Sequence, residues 1–382
     1  MPEPNDLMGA PWSITVTNLR ALRDFRWEPR GLVLLAGRNG AGKSTVLNAL
    51  ELCQTAAEQG PGRAIRALGL SGLLTRGLPE GTDVSVELAL GTVKWILTIQ
   101  CERGAADHRL GERVLDGNTV IAEVDAGQDQ WRFQGTDRPR PERSLLEFLE
   151  ARDGMPWAAT FRDFARNLRV FAEPRTDILR RVSPGGETSI SHNGGGLWSV
   201  LDRWKRASKK YEGRYEWVVQ QARKAFPGIF HDLDLEDRSP GVEARLVLDA
   251  DSSDGSLPIY CAANGLLLGL LHLAEVAECP DGGVVAIDEF ENGLHPAAVH
   301  SLIESIRERC EARHLTVILT THSPAVMNQF KTHPADFYLL DAVPGPPRPL
   351  PTRLTDFHDE DWLAHFSLGD LYLHGDIARQ GN

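Results

Sequence analysis

Two stretches of the sequence carry side chains of the kinds that act on phosphate groups. The first, GRNGAGKST, spans Gly37 to Thr45 and places a lysine and a serine directly after closely spaced glycines. The second, VVAIDEFENGLHP, runs from four apolar residues into the carboxylates Asp288, Glu289 and Glu291. Because buried carboxylates are costly without a cation beside them, a cation is expected where this apolar run ends.

The glycine-rich stretch matches the pattern G-x-x-x-x-G-K-[ST] and lies between an apolar run, GLVLLAG, and a run with helical spacing. Glycines let the backbone curve around phosphate oxygens so that N–H groups point at the anion, and the following helix adds its positive end. We therefore predict a nucleotide-phosphate site in which Lys43 reaches the β- and γ-phosphates and Ser44 reaches Mg²⁺. Its residues are Arg38, Asn39, Gly40, Ala41, Gly42, Lys43, Ser44 and Thr45.

The two leading carboxylates of the acidic stretch are expected to have different roles. Asp288, at the end of the apolar run, is expected to bind Mg²⁺ together with Ser44, directly or through water. Glu289 points elsewhere and is expected to orient or deprotonate the attacking water. One carboxylate cannot do both, because the metal occupies its lone pairs. The simpler alternative is that both acids only cap a strand.

A histidine follows the next apolar run, in the segment TTHS from Thr320 to Ser323. If the two apolar runs are neighbouring strands, His322 would lie near the γ-phosphate and could bond to it and respond to its loss. A lone histidine is more often structural, so this prediction depends on position alone.

Taken in order, GRNGAGKST, AIDEFENGLHP and TTHS resemble the head of ABC-type ATPases, within the branch of SMC-like, RecF-like and OLD-like proteins. IDEFENGLHP is especially similar to the stand-alone ATPases of this branch, many of which belong to bacterial anti-phage systems. FSLGDLYLHGDIA resembles their C-termini, so the resemblance covers about residues 13–55 and 240–375. It implies ATP and Mg²⁺ as ligands, ATP hydrolysis, and a homodimer that holds each ATP between two heads.

In such a dimer, the resemblance implies that a signature loop of one head contacts the nucleotide of the other. The family usually has a Leu-Ser-x-Gly-like sequence there, and this chain has Ala262-Ala263-Asn264-Gly265 before an apolar helix. Asn264 and Gly265 are therefore expected to reach the partner's nucleotide, and Asn292 to His295 to form the D-loop. Because Ala263 replaces the serine, hydrolysis is expected to be slow.

The resemblance also implies a Q-loop glutamine and leaves room for a charge-stabilising arginine. No glutamine is well placed to act as the Q-loop residue. A charge-stabilising arginine could be one of the arginines that follow the first helix, although ordinary surface arginines are the simpler interpretation. These arginines are Arg63, Arg66 and Arg76.

The elements that must position these residues are strands alternating with helices. GLVLLAG, GGVVAIDEF and LTVILTTHS have the composition of buried strands, and helical spacing follows the first two, which predicts βαβ crossovers and a parallel sheet. Several β-like runs between residues 83 and 133 predict an antiparallel sheet. SLLEFLEARD, AATFRDFARNLRVF and GLWSVLDRWKRASKKYEGRYEWVVQQARKAF predict helices, and residues 55–80 are expected to be loop-like.

The expected fold class is α/β, and the resemblance implies an ABC-ATPase head. That head would have a mixed or parallel core sheet flanked by helices, an antiparallel β subdomain and a helical insert. The expected domains are a first ATPase lobe over 1–140, the helical insert over 141–240, and a second lobe over 241–382. The second lobe would contain the signature-like loop, the acids, the D-loop and His322.

Composition limits the setting and the partners. No apolar run approaches the length of a membrane span, and the first residues lack a signal-peptide pattern, so a cytoplasmic protein without a membrane partner is expected. The five cysteines form no C-x-x-C pair, which fits a reducing compartment. The net charge of −12 argues mildly against a wholly basic DNA-binding surface, but basic residues between 205 and 224 leave a local groove possible.

Four functions stay open from the sequence. The favoured one is an ATP-driven switch that controls a separate effector subunit, such as a TOPRIM nuclease, in anti-phage defence. About sixty residues follow His322, too few for a nuclease domain of that kind. The alternative is a RecF-like DNA-repair ATPase that clamps DNA. The degenerate signature disfavours a transporter subunit, and the absence of an N-K-x-D-like motif disfavours a GTPase.

Overall fold

The computed structural model describes most of the chain, and every structural statement below concerns the described residues. They are residues 2–67, 75, 78–79, 81–100, 109–126, 128, 130–133, 136–139, 144–153, 155–238, 240–248, 256–340, 351–375 and 377. Arg76 and Cys101 lie outside them.

The described residues form strands and helices along the whole length of the chain. The strands are β1 (Trp12–Leu19), β2 (Leu22–Trp27), β3 (Leu32–Ala36), β4 (Asp83–Leu90), β5 (Val93–Gln100), β6 (Arg109–Asp116), β7 (Thr119–Val124), β8 (Gln130–Phe133), β9 (Thr136–Pro139), β10 (Leu168–Phe171), β11 (Ser183–Pro184), β12 (Asp232–Arg238), β13 (Gly241–Val247), β14 (Ser256–Pro258), β15 (Val284–Ile287), β16 (Thr316–Thr321), β17 (Phe337–Leu339) and β18 (Thr352–Arg353). The helices are α1 (Pro4–Leu7), α2 (Lys43–Gln59), α3 (Pro61–Ala67), α4 (Leu145–Asp153), α5 (Pro156–Arg166), α6 (Thr176–Leu179), α7 (Leu197–Arg206), α8 (Arg214–Ala225), α9 (Asn264–Glu278), α10 (Pro296–Arg313), α11 (Pro324–Met327), α12 (Glu360–Leu363) and α13 (Leu368–Leu373).

The first of two compact units comprises Met1–Leu168, Phe337–Phe357 and Ala378–Asn382. Its largest element is an antiparallel sheet with the strand order β2-β1-β4-β5-β6-β7-β8-β9. Strand β5 shows why these residues form a sheet: every second side chain, beginning with Val93 and Trp95, is buried, and those between are partly exposed. This sheet is the antiparallel one that the sequence predicts.

The same unit contains the strand that leads to the glycine-rich stretch. All five residues of β3 are buried, as expected for a strand that is covered on both faces. Strand β3 pairs in parallel with β17, which pairs antiparallel with β18. Helix α2 starts seven residues after the end of β3, so the chain makes the strand–loop–helix passage that a phosphate-binding loop requires.

The loop-like expectation for residues 55–80 is wrong for its first half. Helix α2 continues to Gln59, and α3 follows immediately. Gly60 ends α2 with a positive φ of 89°, and Pro61 begins the next helix, where a proline is tolerated because its missing N–H needs no partner. Ala64 and Ile65 are buried, so their packing stabilises α3, a helix that the Gly- and Arg-rich composition of this segment does not predict.

The second compact unit comprises Arg169–Asp336 and His358–Ile377. Its strands β10, β15 and β16 are neighbours in that order, and β15 and β16 run in parallel with Val284 opposite Thr316. Every residue of β15 and β16 is buried. The two strands are joined through helix α10, so they form the βαβ crossover that the sequence predicts.

One predicted helix is partly wrong. AATFRDFARNLRVF was expected to be helical throughout, but α5 ends at Arg166 and Leu168–Phe171 forms β10. The side chain of Asn167 donates to the carbonyl oxygen of Asp163 at 2.8 Å, which helps to end the helix. The pairing of β10 with β15 overrides the helical spacing, because the backbone groups of a buried segment must find partners.

The α/β fold class is confirmed, with two antiparallel sheets, parallel strand pairs and flanking helices. A small sheet of order β11-β13-β12, with β14 paired to β13, belongs to the second unit. Among the described helices, none combines the length and the apolar composition that crossing a membrane would need. The division into three domains at residues 140 and 240 stays a prediction.

Candidate functional site

The phosphate loop, defined here as Gly37–Thr45, begins directly after β3 and ends in the first turn of α2. Gly40 and Gly42 have φ values of +82° and +115°, which L-residues with side chains rarely adopt. A Cβ atom at Gly42 would lie 2.8 Å from Cδ2 of Leu22. Glycine at position 42 is therefore favoured by its backbone conformation, and a Cβ atom there would also require the Leu22 side chain to shift.

Lys43 places its ammonium group over this loop. Its Nζ donates to the carbonyl oxygen of Gly37 at 2.6 Å and to that of Arg38 at 3.3 Å, and the side chain is only 7% exposed. The loop closes with a hydrogen bond from Ala41 N to Arg38 O of 3.1 Å. A buried cation next to the uncapped start of a 17-residue helix is suited to an anion such as a phosphate.

The remaining residues of the loop divide by exposure. Arg38, Asn39, Gly40 and Ser44 are exposed, whereas Thr45 is buried. The eight residues predicted for phosphate binding are thus all part of one loop–helix junction. Arg63 and Arg66, the described candidates for a charge-stabilising arginine, are exposed on α3.

The acidic turn, defined here as Asp288–Asn292, follows β15 directly in the second unit. The backbone N–H of Asp288 donates to the carbonyl oxygen of Phe171 at 3.0 Å, so β10 holds the start of the turn. The hydroxyl of Thr320 donates to Oδ1 of Asp288, and the N–H of Glu289 donates to that same hydroxyl oxygen at 2.9 Å. The end of β16 therefore holds both acids.

Glu289 lies at the centre of this turn. Its φ is +46°, a conformation that costs a non-glycine residue about 1–3 kcal/mol and that tends to occur at functional sites. Its Oε2 accepts a hydrogen bond from Nδ2 of Asn292 at 2.5 Å, and its Oε1 lies 3.7 Å from Nδ1 of His322. The carboxylate and the imidazole are both about half-exposed, so a ligand can reach them.

The structure therefore brings together three groups that the sequence predicted from separate positions. His322 and Asn292, the first residue of the expected D-loop, both lie next to the carboxylate of Glu289, and Asp288 directly precedes Glu289 in the chain. Among the described residues, no group of three His, Cys, Asp or Glu side chains could hold a metal ion by itself.

The segment predicted as a signature loop contacts the segment predicted as the D-loop within the same unit. Helix α9 begins at Asn264, and its N-cap residue Ala263 provides no side-chain cap. A Cβ atom at Gly265 would lie 2.6 Å from the carbonyl oxygen of Gly293, so glycine permits a close approach there. The two segments predicted to face a partner molecule are thus packed against each other.

Three contributors to this region were missed by sequence reasoning. Thr320 holds the two acids, and the hydroxyl of Thr321 donates to Oε1 of Glu291 at 2.7 Å. The sequence did contain a signal for the two threonines, because hydroxyl groups at the end of a mostly apolar, buried strand need hydrogen-bond partners. Arg180 donates to Oδ1 of Asn264 at 2.7 Å and to the carbonyl oxygen of Tyr260 at 2.5 Å. Because Arg180 lies far from both residues in the chain, no sequence pattern linked it to them.

A buried ionisable pair lies beside the acidic turn. The ring of His272, on α9, packs 5.3 Å from the ring of Phe290, and its Nδ1 lies 3.2 Å from Oε2 of Glu275. Burial raises the pKa of Glu275, and the hydrogen bond from His272 opposes this shift. Oε1 of Glu275 has no hydrogen-bond partner among the described residues.

The basic residues between positions 205 and 224 mostly have local partners. Lys205 donates to the carbonyl oxygen of Leu233 at 2.7 Å, and Arg206 pairs with Asp202 at 2.8 Å. Arg214 donates to the carbonyl oxygen of Glu278, and Arg223 to that of His231. These contacts support the interpretation of this segment as a structural surface more than as a basic groove.

Comparison with known proteins identifies one family. The family model described as "AAA domain, putative AbiEii toxin, Type IV TA system" matches residues 32–328. No curated protein sequence matches the chain.

Many solved structures match the chain, and three of them are SMC head domains. An Smc head bound to the C-terminal winged-helix domain of ScpA is 15% identical with a TM-score of 0.49, and the alignment covers 86% of this chain and 92% of that one. An Smc head with an extended coiled coil, bound to the C-terminal domain of ScpA derived from Pyrococcus furiosus, is 13% identical with a TM-score of 0.47 and coverages of 86% and 92%. The SMC head domain from Thermotoga maritima is 12% identical with a TM-score of 0.39 and coverages of 86% and 93%.

Proposed function

Because the chain belongs to the AAA-domain family of the AbiEii type, we propose that it binds ATP with Mg²⁺, hydrolyses it, and uses the cycle as a switch. One observation supports this proposal more than any other: Oε1 of Glu289 lies 3.7 Å from Nδ1 of His322, and Glu289 directly follows Asp288 in the chain. An acid to hold the metal, an acid to act on water and a group to contact the γ-phosphate are the parts that phosphoryl transfer needs.

The phosphate loop is the proposed site for the ATP phosphates. Its positive-φ glycines shape the backbone for an anion, and Lys43 brings a buried cation to the β- and γ-phosphates. Ser44 and Asp288 would hold Mg²⁺, which supplies positive charge that neutralises the phosphate oxygens when it is bound.

The acidic turn is the proposed source of the hydrolytic chemistry. Glu289 orients a water molecule and accepts its proton as the water oxygen attacks the γ-phosphorus, and the bond from the γ-phosphorus to the β,γ-bridging oxygen breaks to release ADP and phosphate. His322, whose Nδ1 lies 3.7 Å from Oε1 of Glu289, donates a hydrogen bond to the γ-phosphate. The hydrogen bond from Asn292 holds the Glu289 carboxylate in one orientation, which positions the base for this role.

We further propose a homodimer in which α9 of one chain contacts the nucleotide of its partner. The guanidinium of Arg180 can only donate hydrogen bonds, so Oδ1 of Asn264 must face it and the amide NH₂ group must face away. That NH₂ group, with the backbone at Gly265, would contact the partner's phosphates where the resembling ATPases use a serine hydroxyl. Turnover is expected to be slow, because Ala263 lacks that hydroxyl.

The proposed output of the switch is control of a separate effector subunit in the cytoplasm. The family description names a toxin and a toxin–antitoxin system, which supports a role in bacterial defence. A TOPRIM nuclease is one effector that would fit such a role. The alternative, a DNA-clamping repair ATPase, has less support, because the basic residues between 205 and 224 are largely held by local partners.

The switch can be tested with one trapping variant and one control. In Glu289→Gln, nucleotide binding is retained and hydrolysis is lost, because the amide cannot accept the proton from water. We expect this variant to form a stable dimer with ATP and Mg²⁺, measured as a doubling of mass by light scattering after gel filtration.

Lys43→Ala provides the matched control for this experiment, since it removes the cation of the phosphate loop and leaves the acidic turn unchanged. It is expected to lose ATP binding in calorimetry and to stay monomeric. Unchanged ATP affinity in Lys43→Ala would refute the assignment of the phosphate loop. A Glu289→Gln variant that binds ATP as a monomer would refute the dimer.

A further inference from the structure

The end of strand β16 contains a buried hydroxyl group that contacts both the proposed metal ligand Asp288 and the proposed base Glu289. Thr320 has no exposed surface, and its side chain is the only part of β16 that bonds to both Asp288 and Glu289 among the described residues. We propose that Thr320 is a positioning residue for ATP hydrolysis: it sets the relative orientation of the metal-binding acid and the water-activating acid. This inference rests on the proposed function.

The direction of both hydrogen bonds follows from the donors available. The backbone N–H of Glu289 can only donate, so the Thr320 oxygen must accept this bond of 2.9 Å. The single hydroxyl hydrogen is then directed to Oδ1 of Asp288. One hydroxyl group therefore joins the backbone of the base to the carboxylate of the metal ligand, and neither can rotate without breaking one of these bonds.

A second feature gives the bond to the Glu289 backbone a specific role. Glu289 has a φ of +46°, which an L-residue adopts only when neighbouring contacts enforce it. The Thr320 hydroxyl bonds to the N–H of this residue, and the Thr320 carbonyl accepts the N–H of Phe290 at 3.3 Å. Side chain and backbone of one residue thus hold the turn that directs the Glu289 carboxylate towards His322.

The neighbouring threonine shows that this arrangement is specific to position 320. Thr321 is equally buried, but its hydroxyl donates to Glu291 and accepts from the N–H of Ser323 at 2.9 Å. It bonds to neither Asp288 nor Glu289. Residue 321 therefore provides a control with the same residue type, strand and burial, and with different partners.

The test compares three variants of the full chain with the wild-type protein. Thr320→Val keeps the shape of the side chain and removes the hydroxyl, Thr320→Ser keeps the hydroxyl, and Thr321→Val removes the neighbouring hydroxyl. ATP affinity, kcat, KM, the Mg²⁺ concentration for half-maximal turnover and the melting temperature are measured for each protein.

We expect Thr320→Val to lower kcat by about 10- to 100-fold, because small displacements of reacting groups have effects of this size. ATP affinity should stay within about threefold of wild type, since the phosphate loop is unchanged, and the required Mg²⁺ concentration should rise. Thr320→Ser should restore most of kcat. Thr321→Val should lower kcat less than Thr320→Val does, because its hydroxyl bonds to Glu291 and to neither Asp288 nor Glu289.

The possible results separate this inference from the proposed function. Equal kcat values in Thr320→Val and Thr321→Val, or a loss in Thr320→Ser as large as in Thr320→Val, would overturn the positioning role. A fall in kcat that is matched by the same fall in ATP affinity would show a general structural effect instead. A wild-type protein that neither binds nor hydrolyses ATP would overturn the proposed function, and with it this inference.

Discussion

Single polar groups determine how the acidic turn is built. The hydroxyls of Thr320 and Thr321 and the amide of Asn292 each bond to a carboxylate of this turn. These bonds orient acids that would repel one another if they were free to move. The carboxylate of Glu275, on the adjacent helix, differs from them because it is completely buried and one of its oxygens has no hydrogen-bond partner among the described residues.

This difference leads to a prediction for Glu275. Burial raises its pKa above the ordinary value of 4.5, and the groups that face it are His272, Arg169 and Glu278. A carboxyl with a raised pKa contributes stability that is complete below the unfolded-state pKa and is lost as the pH rises through the folded-state pKa. Glu275→Gln removes this dependence, so its stability relative to wild type should increase as the pH rises above about 4.5.

Urea unfolding at a series of pH values measures this effect. Glu308→Gln is a suitable control, because Glu308 is exposed on α10 in the same unit and should show no comparable change. Parallel stability curves for wild type and Glu275→Gln would contradict the prediction.

At the scale of the elements, parallel strands bring polar residues to one edge. Strands β15 and β16 pair in register from Val284 opposite Thr316 to Ile287 opposite Leu319. Their carboxyl ends therefore lie side by side, and the residues that follow them, Asp288 to Asn292 and His322, share that edge. Helix α9 approaches the same region with its N-terminus, where Gly265 allows contact with Gly293.

This close approach predicts the effect of Gly265→Ala. A Cβ atom there would lie 2.6 Å from the carbonyl oxygen of Gly293, a backbone atom that cannot move aside cheaply. We expect a loss of about 1–3 kcal/mol in the free energy of unfolding, measured by chemical denaturation, although alanine is the better helix former.

Gly62→Ala provides a matched control in α3. Its Cβ would meet no atom closer than 3.8 Å, so this variant should be unchanged or slightly more stable. Equal stability of the two alanine variants would mean that α9 and the D-loop are not held in close contact.

At the scale of the whole molecule, the net charge and the local partners of the basic side chains distinguish an ATP-driven switch from a DNA clamp. The chain has a net charge of −12, and the basic residues of α7 and α8 are mostly engaged by carbonyl oxygens or carboxylates. A protein that clamps DNA needs several lysine or arginine side chains available for phosphates. Four of the seven basic side chains between 205 and 224 bond to local acceptors, and the exposed Lys209, Lys210 and Lys224 are too few for a row of this kind.

We therefore predict weak binding to duplex DNA. At about 150 mM salt the dissociation constant should be no tighter than about 10⁻⁴ M, and ATP should not strengthen it, as measured by fluorescence anisotropy across a salt series. ATP-dependent binding that falls steeply with salt, and that is lost in a Lys209→Glu, Lys210→Glu double variant, would favour the DNA-clamp alternative.

Several features were determined by the sequence alone, because they depend on residues close together in the chain. The spacing of glycines, Lys43 and Ser44 predicted a loop between a strand and a helix, and the structure has a loop there with positive φ at Gly40 and Gly42, while phosphate binding stays a prediction. The apolar runs before Asp288 and His322 predicted the buried parallel strands β15 and β16. Such features follow from hydrophobic period and turn chemistry, which act over a few residues.

Other features were decided only by the tertiary structure. The strand at Leu168–Phe171 forms in a segment with helical spacing, because β15 provides backbone partners that the local sequence does not show. Thr320 reaches Asp288, and Arg180 reaches Asn264, across 32 and 84 positions of the chain. Hydrogen bonds over such separations depend on which strands and helices pack together. Local sequence patterns describe single elements and do not show which elements become neighbours.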